Sequence, residues 1–101
     1  RKCWWASWIA SFMKVEFSHN FIKIYKNRFS HRLNIKRKFD TRTKLFAVDS
    51  QNSLLQDHQL GGKLQGYRAF SITGDIRVIY YVHGNTAYFV DIGTHNQVYG
   101  R

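Results

Sequence analysis

Three segments in the last third of the chain, Tyr67 to Ile72, Arg77 to Val82 and Ala87 to Ile92, are rich in β-branched and aromatic residues, and only short links containing Thr73-Gly74 and His83-Gly84-Asn85 part them. Such residues favour strands, and glycine-bearing links of this length are hairpin signals. Parallel neighbours need a connection of a dozen or more residues, so these segments are read as an antiparallel meander. The register of the first hairpin stays open: a three-residue loop, Thr73 to Asp75, places Ser71 opposite Arg77, and a two-residue loop places Phe70 there.

Upstream the spacing changes. Lys14 to Phe17 alternates polar and apolar side chains and reads as a short strand. Ser18 is a candidate helix cap, followed by Phe21, Ile22, Tyr25 and Phe29 at helical spacing, a first helix of about three turns. Ser30 is the next candidate cap, and Ile35, Phe39, Leu45 and Phe46 form the buried stripe of a second, longer helix. Asp49 to Gly62 is polar, ends in Gly61-Gly62 and reads as a loop with a turn at Ser53 to Leu55. Two helices followed by a meander predict an α+β fold. Two N-terminal helices pack on one face of a twisted antiparallel sheet, and the opposite face is left for function.

At 101 residues and 44% hydrophobic content the chain supports one core, expected as a single domain over residues 13–101. Sixteen Lys and Arg against six Asp and Glu give a formal charge of +10. That excess repels itself and is read as a surface that meets an anion: nucleic acid, an acidic protein or anionic lipid. The lone Cys3 cannot close an intramolecular disulfide and no Cys or His spacing resembles a zinc site, so a reducing compartment is expected, with no metal and no cofactor. No run approaches the roughly 20 apolar residues of a membrane span, and the expectation is a soluble, cytoplasmic protein with no membrane partner. Residues 1–12 hold all three tryptophans, the cysteine and no acidic residue, after which Met13 opens Met-Lys-Val-Glu-Phe. Met13 reads as the natural start, so residues 1–12 are expected to be a non-native or misannotated extension rather than a signal peptide. Arg1 and Lys2 carry two of the charges, which leaves +8 on residues 13–101.

The outer face of the second helix carries Arg32, Lys36, Arg37, Lys38, Arg42 and Lys44, with only Asp40 and Asp49 for local pairing. A charge run is commonly a solvated face. One this unbalanced is read as binding an external polyanion, to which Lys63 and Arg68 add further along the chain. RNA can be cut through its own 2′-hydroxyl: a base removes the proton, the oxygen attacks the adjacent phosphate, a cation stabilises the phosphoryl oxygens and an acid protonates the leaving 5′-oxygen. Histidine titrates near neutral pH, and arginine grips phosphate through two N–H groups. His58 before the sheet, Arg77 near the start of the middle strand and His95 just past the last are placed to converge where the strand ends of a meander meet. Each has a plainer role open to it. A loop histidine is commonly solvated, Asp75 suits a turn, and Arg77 can lie across its neighbours at a sheet edge. Tyr67 is assigned to packing, and Tyr99 to packing or to stacking on an unpaired base.

On these residues the chain resembles the RelE/ParE superfamily of toxins from bacterial type II toxin–antitoxin systems, and within it the YafQ-like mRNA interferases. The resemblance covers nearly all of residues 13–101. It rests on Asp57-His58-Gln59-Leu60 with Gly66-Tyr67-Arg68, then Asp75-Ile76-Arg77-Val78-Ile79-Tyr80, then Gly93-Thr94-His95 with Tyr99, in that order. It implies metal-independent cleavage of mRNA in the ribosomal A site, contact with ribosomal RNA, and neutralisation by an acidic antitoxin that wraps the toxin. Position by position it implies proton transfer or its support at His58, Asp75 and His95, a transition-state arginine at Arg77 and an aromatic beside the substrate at Tyr99. His95 is then the acid and either His58 or Asp75 the base. Two positions depart from the pattern: Ser71 stands where such members can have another catalytic histidine, and Ile76 where they can have tryptophan.

Two further functions fit the same sequence. A non-nuclease ParE-like toxin would act on DNA gyrase by protein contact, and retention of two titratable histidines argues against it. A non-catalytic RNA-binding module would keep its activity in cells after His95→Ala.

Overall fold

In the computed structural model, which describes residues 13–99, the elements run β1 (Lys14–Phe17), α1 (His19–Phe29), α2 (Leu33–Val48), β2 (His58–Gln59), β3 (Arg68–Ser71), β4 (Ile76–His83), β5 (Thr86–Thr94) and α3 (His95–Tyr99). The expectations for residues 1–12 lie outside the described residues. Short 3₁₀ turns at Ser53–Leu55 and Gly62–Leu64 flank β2. The strands form one sheet in the order β1-β5-β4-β3-β2.

The expected meander is β3, β4 and β5. Ser71 lies opposite Arg77, so the first hairpin uses the three-residue loop. Thr73 closes it, its Oγ1 accepting from the N–H of Asp75 at 3.2 Å and of Ile76 at 3.1 Å. The sheet also departs from a purely antiparallel one. β1 runs parallel to β5, from Lys14 opposite Thr86 to Phe17 opposite Phe89, which the long connection between them permits. β2, a two-residue edge strand, forms within the stretch expected as loop and places His58 opposite Ala69.

Ser18 caps α1 as expected, its Oγ accepting from the Phe21 N–H at 3.0 Å. Ser30 does not begin the second helix. It ends α1 with its N–H on the Lys26 carbonyl, the chain turns through Arg32, whose N–H bonds to Phe29 O, and α2 starts at Leu33 without a side-chain cap. Phe21, Phe29, Ile35, Phe39 and Phe46 of the two helices meet Phe70, Ile72, Val78, Tyr80, Phe89 and Ile92 of the sheet. Phe46 stacks on Phe70 with ring centroids 4.6 Å apart. Such aromatic pairs add about 0.5–1.5 kcal/mol each beyond area burial, which makes the central strands a firm platform.

The opposite face is partly covered by a third helix. α3 folds back so that Val98 is buried against Ala69 and Ile79, with Leu60, Tyr67, Val90 and Tyr99 around them. A reciprocal cap starts this helix: Gln97 N–H donates to Thr94 Oγ1 at 3.3 Å, and Thr94 N–H donates to Gln97 Oε1 at 2.8 Å. The β4–β5 ladder shifts by one residue at Ile79/Tyr80, so β5 carries an extra residue there and Val90 joins this second core while Asp91 stays opposite Ile79.

Candidate active site

Period-two alternation turns Val78 and Tyr80 into the main core and Arg77 and Ile79 toward α3. Arg77 has Ser71 opposite on β3 and Gly93 opposite on β5, small neighbours over which a guanidinium can lie. Its Nη1 donates to Ser71 Oγ at 3.1 Å, and the Ser71 hydroxyl donates to Gln56 Oε1 at 3.3 Å. Ser71 is 5% exposed, and these bonds satisfy a polar group that burial would otherwise penalise.

Gln56 has φ 50°, in the left-handed region, and this turn brings its carbonyl within 2.9 Å of His58 Nδ1. A carbonyl only accepts, so neutral His58 carries its proton on Nδ1 and keeps Nε2 as an acceptor. A polar chain therefore links Arg77 through Ser71 and Gln56 to a histidine of defined tautomer. His58 is exposed, on the same face as Ala69 and Ile79. Two strands and one same-face row separate it from Arg77, roughly 12 Å between Cα atoms by ordinary sheet spacings.

Asp57 fastens β2 to the sheet. Its side chain is 2% exposed, Oδ1 receives Arg68 Nε at 2.9 Å and Oδ2 receives the Tyr80 hydroxyl. Burial first, and then the Asp57 hydrogen bond, push the Tyr80 pKa up while Arg68 draws it back, so the phenol remains a donor. Arg68, expected to contact RNA, gives its Nε to Asp57 and keeps 28% of its side chain exposed.

His95 is exposed at the start of α3, its ring edge-on to Tyr99 with centroids 4.6 Å apart. The Tyr99 hydroxyl and Arg77 Nε are buried and have no hydrogen-bond partner among the described residues. Burial raises the Tyr99 pKa and the Arg77 charge draws it back, so the two side chains share one electrostatic neighbourhood. Both side chains are themselves part-exposed, and a guanidinium with an unanswered N–H beside an exposed histidine is suited to receiving an anion. Asp75 is exposed in the β3–β4 turn, where no hydrogen bond or ion pair holds its carboxylate among the described residues, because Thr73 closes the turn.

Arg32, Lys36, Arg37, Lys38 and Lys44 are exposed as expected. Arg42 is half-buried and donates to Leu54 O at 2.8 Å. Lys38 and Arg42 border a recess of about 300 Å³ that also touches Gln56 and Ser71, so the basic strip reaches the polar chain under Arg77. Lys63 borders a second, larger cleft on the α3 side. Among the described residues no group of His, Cys, Asp and Glu is placed to hold a metal, and no helix is long and apolar enough to cross a membrane.

Sequence reasoning missed Gln56 and Arg28. Arg28 Nη1 donates to Ile92 O at 2.7 Å and lies 3.6 Å from Asp91 Oδ1, fixing β5 just before α3 departs. Gly93 makes room for it: a Cβ there would sit 2.5 Å from Arg28 Nη1 and 2.7 Å from Gln97 Oε1. The Thr94-x-x-Gln97 capping pattern was open to reading. Arg28 had no local signal, since Ile92 lies 64 residues away, and Gln56 reaches Ser71 across 15 residues although its bond to His58 spans only two.

A YafQ mutant from E. coli superposes with a TM-score of 0.73 at 22% identity, over 87% of this chain and 99% of that one. The structure of the E. coli DinJ–YafQ complex gives 0.71 at 23% identity over 87% and 99% of the two chains. The YoeB/ParE toxin from Agrobacterium tumefaciens gives 0.70 at 19% identity over 82% and 99%. Likeness at these identities establishes the fold. No curated protein matches the chain. The family described as bacterial toxin of type II toxin-antitoxin system, YafQ, matches residues 13–100. With the described residues carrying the same fold, the chain belongs to the YafQ family of type II toxins.

Proposed function

We propose that this toxin is a ribosome-dependent endoribonuclease that cuts mRNA by general acid–base chemistry through the 2′-hydroxyl. The observation that carries the proposal is the anion receptor made by Arg77 and Tyr99 with His95 against it. Arg77 stabilises the charge that builds on the phosphoryl oxygens, and the Tyr99 hydroxyl adds a donor. His58 takes the 2′-proton on Nε2, the 2′-oxygen attacks phosphorus, the P–O5′ bond breaks, and His95 supplies the proton to the leaving 5′-oxygen. Asp75 is the second candidate base. The basic strip on α2 holds ribosomal RNA or mRNA phosphates, with Lys38 and Arg42 nearest the site. Such a toxin acts in the cytoplasm, where the ribosomes are.

The proposed partner is an acidic antitoxin. The chain's +10 charge supports this, as does the E. coli YafQ of like fold, which is found in a complex with DinJ. An apolar groove of about 280 Å³ lined by Phe17, Ile22 and Phe39 and bordered by Lys26 and Lys36 suits an acidic segment with an apolar side.

The test is induction of the full chain beside His95→Ala and Arg77→Ala, with the 5′ ends of cellular mRNA mapped. New in-frame ends that both variants lose are the expected result. Growth arrest without new ends would instead favour the gyrase-directed or purely binding toxin. His58→Ala and Asp75→Asn compared in the same assay identify the base.

A further inference from the structure

The cleft that Lys63 borders has a volume of about 580 Å³, within the range of roughly 300–1,000 Å³ usual for small-ligand sites. Ile79 and Val90 give it apolar surface, Tyr67 and Tyr99 give it aromatic surface, and Asp91 adds a carboxylate. It adjoins the site already described, because Ile79 is the next same-face residue along β4 from Arg77 and Tyr99 belongs to both.

Two features suit it to an unstacked base. The Tyr67 ring is held edge-on to Tyr81 with centroids 5.7 Å apart, so a fixed aromatic surface is available for stacking. Asp91 is equally fixed: its Oδ1 accepts from the Ile92 N–H at 2.8 Å and lies 3.6 Å from Arg28 Nη1, with 14% of the side chain exposed. A carboxylate only accepts. Adenine, guanine and cytosine each offer an exocyclic amino donor on the Watson–Crick edge, whereas uracil offers one N–H between two carbonyls that repel a carboxylate. Lys63 at the same cleft supplies charge for the attached phosphate.

We propose that this cleft is a nucleobase subsite beside the scissile phosphate, taking a base with an exocyclic amino group through Asp91 and rejecting uracil. The assignment rests on the nuclease function proposed above. Its test is nonetheless a binding measurement that does not need cleavage. The purified full chain is titrated with AMP, CMP, GMP and UMP while the amide resonances of Lys63, Tyr67 and Val90 are followed. AMP, CMP and GMP are expected to shift them, with UMP at least tenfold weaker. Asp91→Asn replaces an acceptor by an N–H donor and should abolish or reverse that preference. Tyr67→Ala should weaken all four nucleotides about tenfold and serves if Asp91→Asn does not fold. Equal binding of all four nucleotides by the wild type, or an unchanged preference in Asp91→Asn, overturns the subsite. In cells, mapped ends with uracil depleted at one position beside the cut support it, and ends with no such bias overturn it while the nuclease stands. Base-selective binding without any new ends would keep the cleft as a nucleobase site but overturn the nuclease, and with it the placement beside a scissile phosphate.

Discussion

Gly93→Ala tests whether the end of β5 is held by the contacts that position α3 and its histidine. The added methyl carbon would lie 2.5 Å from Arg28 Nη1, 2.7 Å from Gln97 Oε1 and 3.0 Å from Gln97 Cβ. Both nearest atoms end flexible side chains and can swing away, but each is hydrogen-bonded where it stands. Arg28 Nη1 donates to Ile92 O at 2.7 Å, and retreat by the roughly 0.9 Å needed for ordinary contact breaks a charge-assisted bond worth about 1.5–3 kcal/mol. Gln97 Oε1 accepts from the Thr94 N–H at 2.8 Å, and losing that half of the cap costs about 0.5–1 kcal/mol. The expected loss is about 2–4 kcal/mol, seen as a fall in Tm of roughly 10–25 °C for a chain of this size. Urea and thermal unfolding measure it. In a background of Arg28→Ala with Gln97→Ala the same substitution should cost less than about 1 kcal/mol, because the two hydrogen-bonded atoms it displaces are gone and only the 3.0 Å approach to the Cβ at position 97 remains. A similar cost in both backgrounds would refute the mechanism.

Three other outcomes are expected. Asp57→Ala strips the acceptor from Arg68 Nε and the Tyr80 hydroxyl; with Arg68 still 28% exposed and able to find water, the loss should be about 2–3 kcal/mol by chemical denaturation, and a loss below about 1 kcal/mol would remove Asp57 as the fastener of β2. Tyr80, Tyr99 and Tyr25 all have pKa values raised chiefly by burial. Their folded forms hold the proton more tightly than the unfolded chain, so this stability is complete below about pH 10 and lost as pH rises beyond it. Unfolding followed from pH 8 to 11 should show that decline, less steep in Tyr80→Phe, and identical slopes would count against it. Lys38→Ala with Lys44→Ala should weaken binding to single-stranded RNA and reduce the slope of log K against log salt by about 1.4, taking one phosphate per side chain; an unchanged slope would place the RNA elsewhere.

Local chemistry made much of this fold legible. The β-branched segments and their glycine-bearing links specify a meander from contacts a few residues apart, and Ser18 announces its helix by the bond it makes to Phe21. Ser30 misled because a serine can as readily end one helix as begin the next, and the turn at Phe29–Arg32 took it. α3 and β2 were missed because five- and two-residue elements show no periodicity. α3 follows from burial of Val98 against Ala69 and Ile79, and β2 from pairing with β3 and the hold on Asp57.

By itself the sequence determined the class of fold, the basic surface and the types of residue able to perform acid–base chemistry, because each is a property of composition, spacing or short-range turn chemistry. Tertiary structure alone decided that β1 joins β5 in parallel and that Ser71 links Arg77 to Gln56. It also brought Arg77 Nε and the Tyr99 hydroxyl, buried atoms of part-exposed side chains, into one neighbourhood. Those relations depend on which distant strands become neighbours and which polar atoms are then sealed from water, and no local pattern encodes either one.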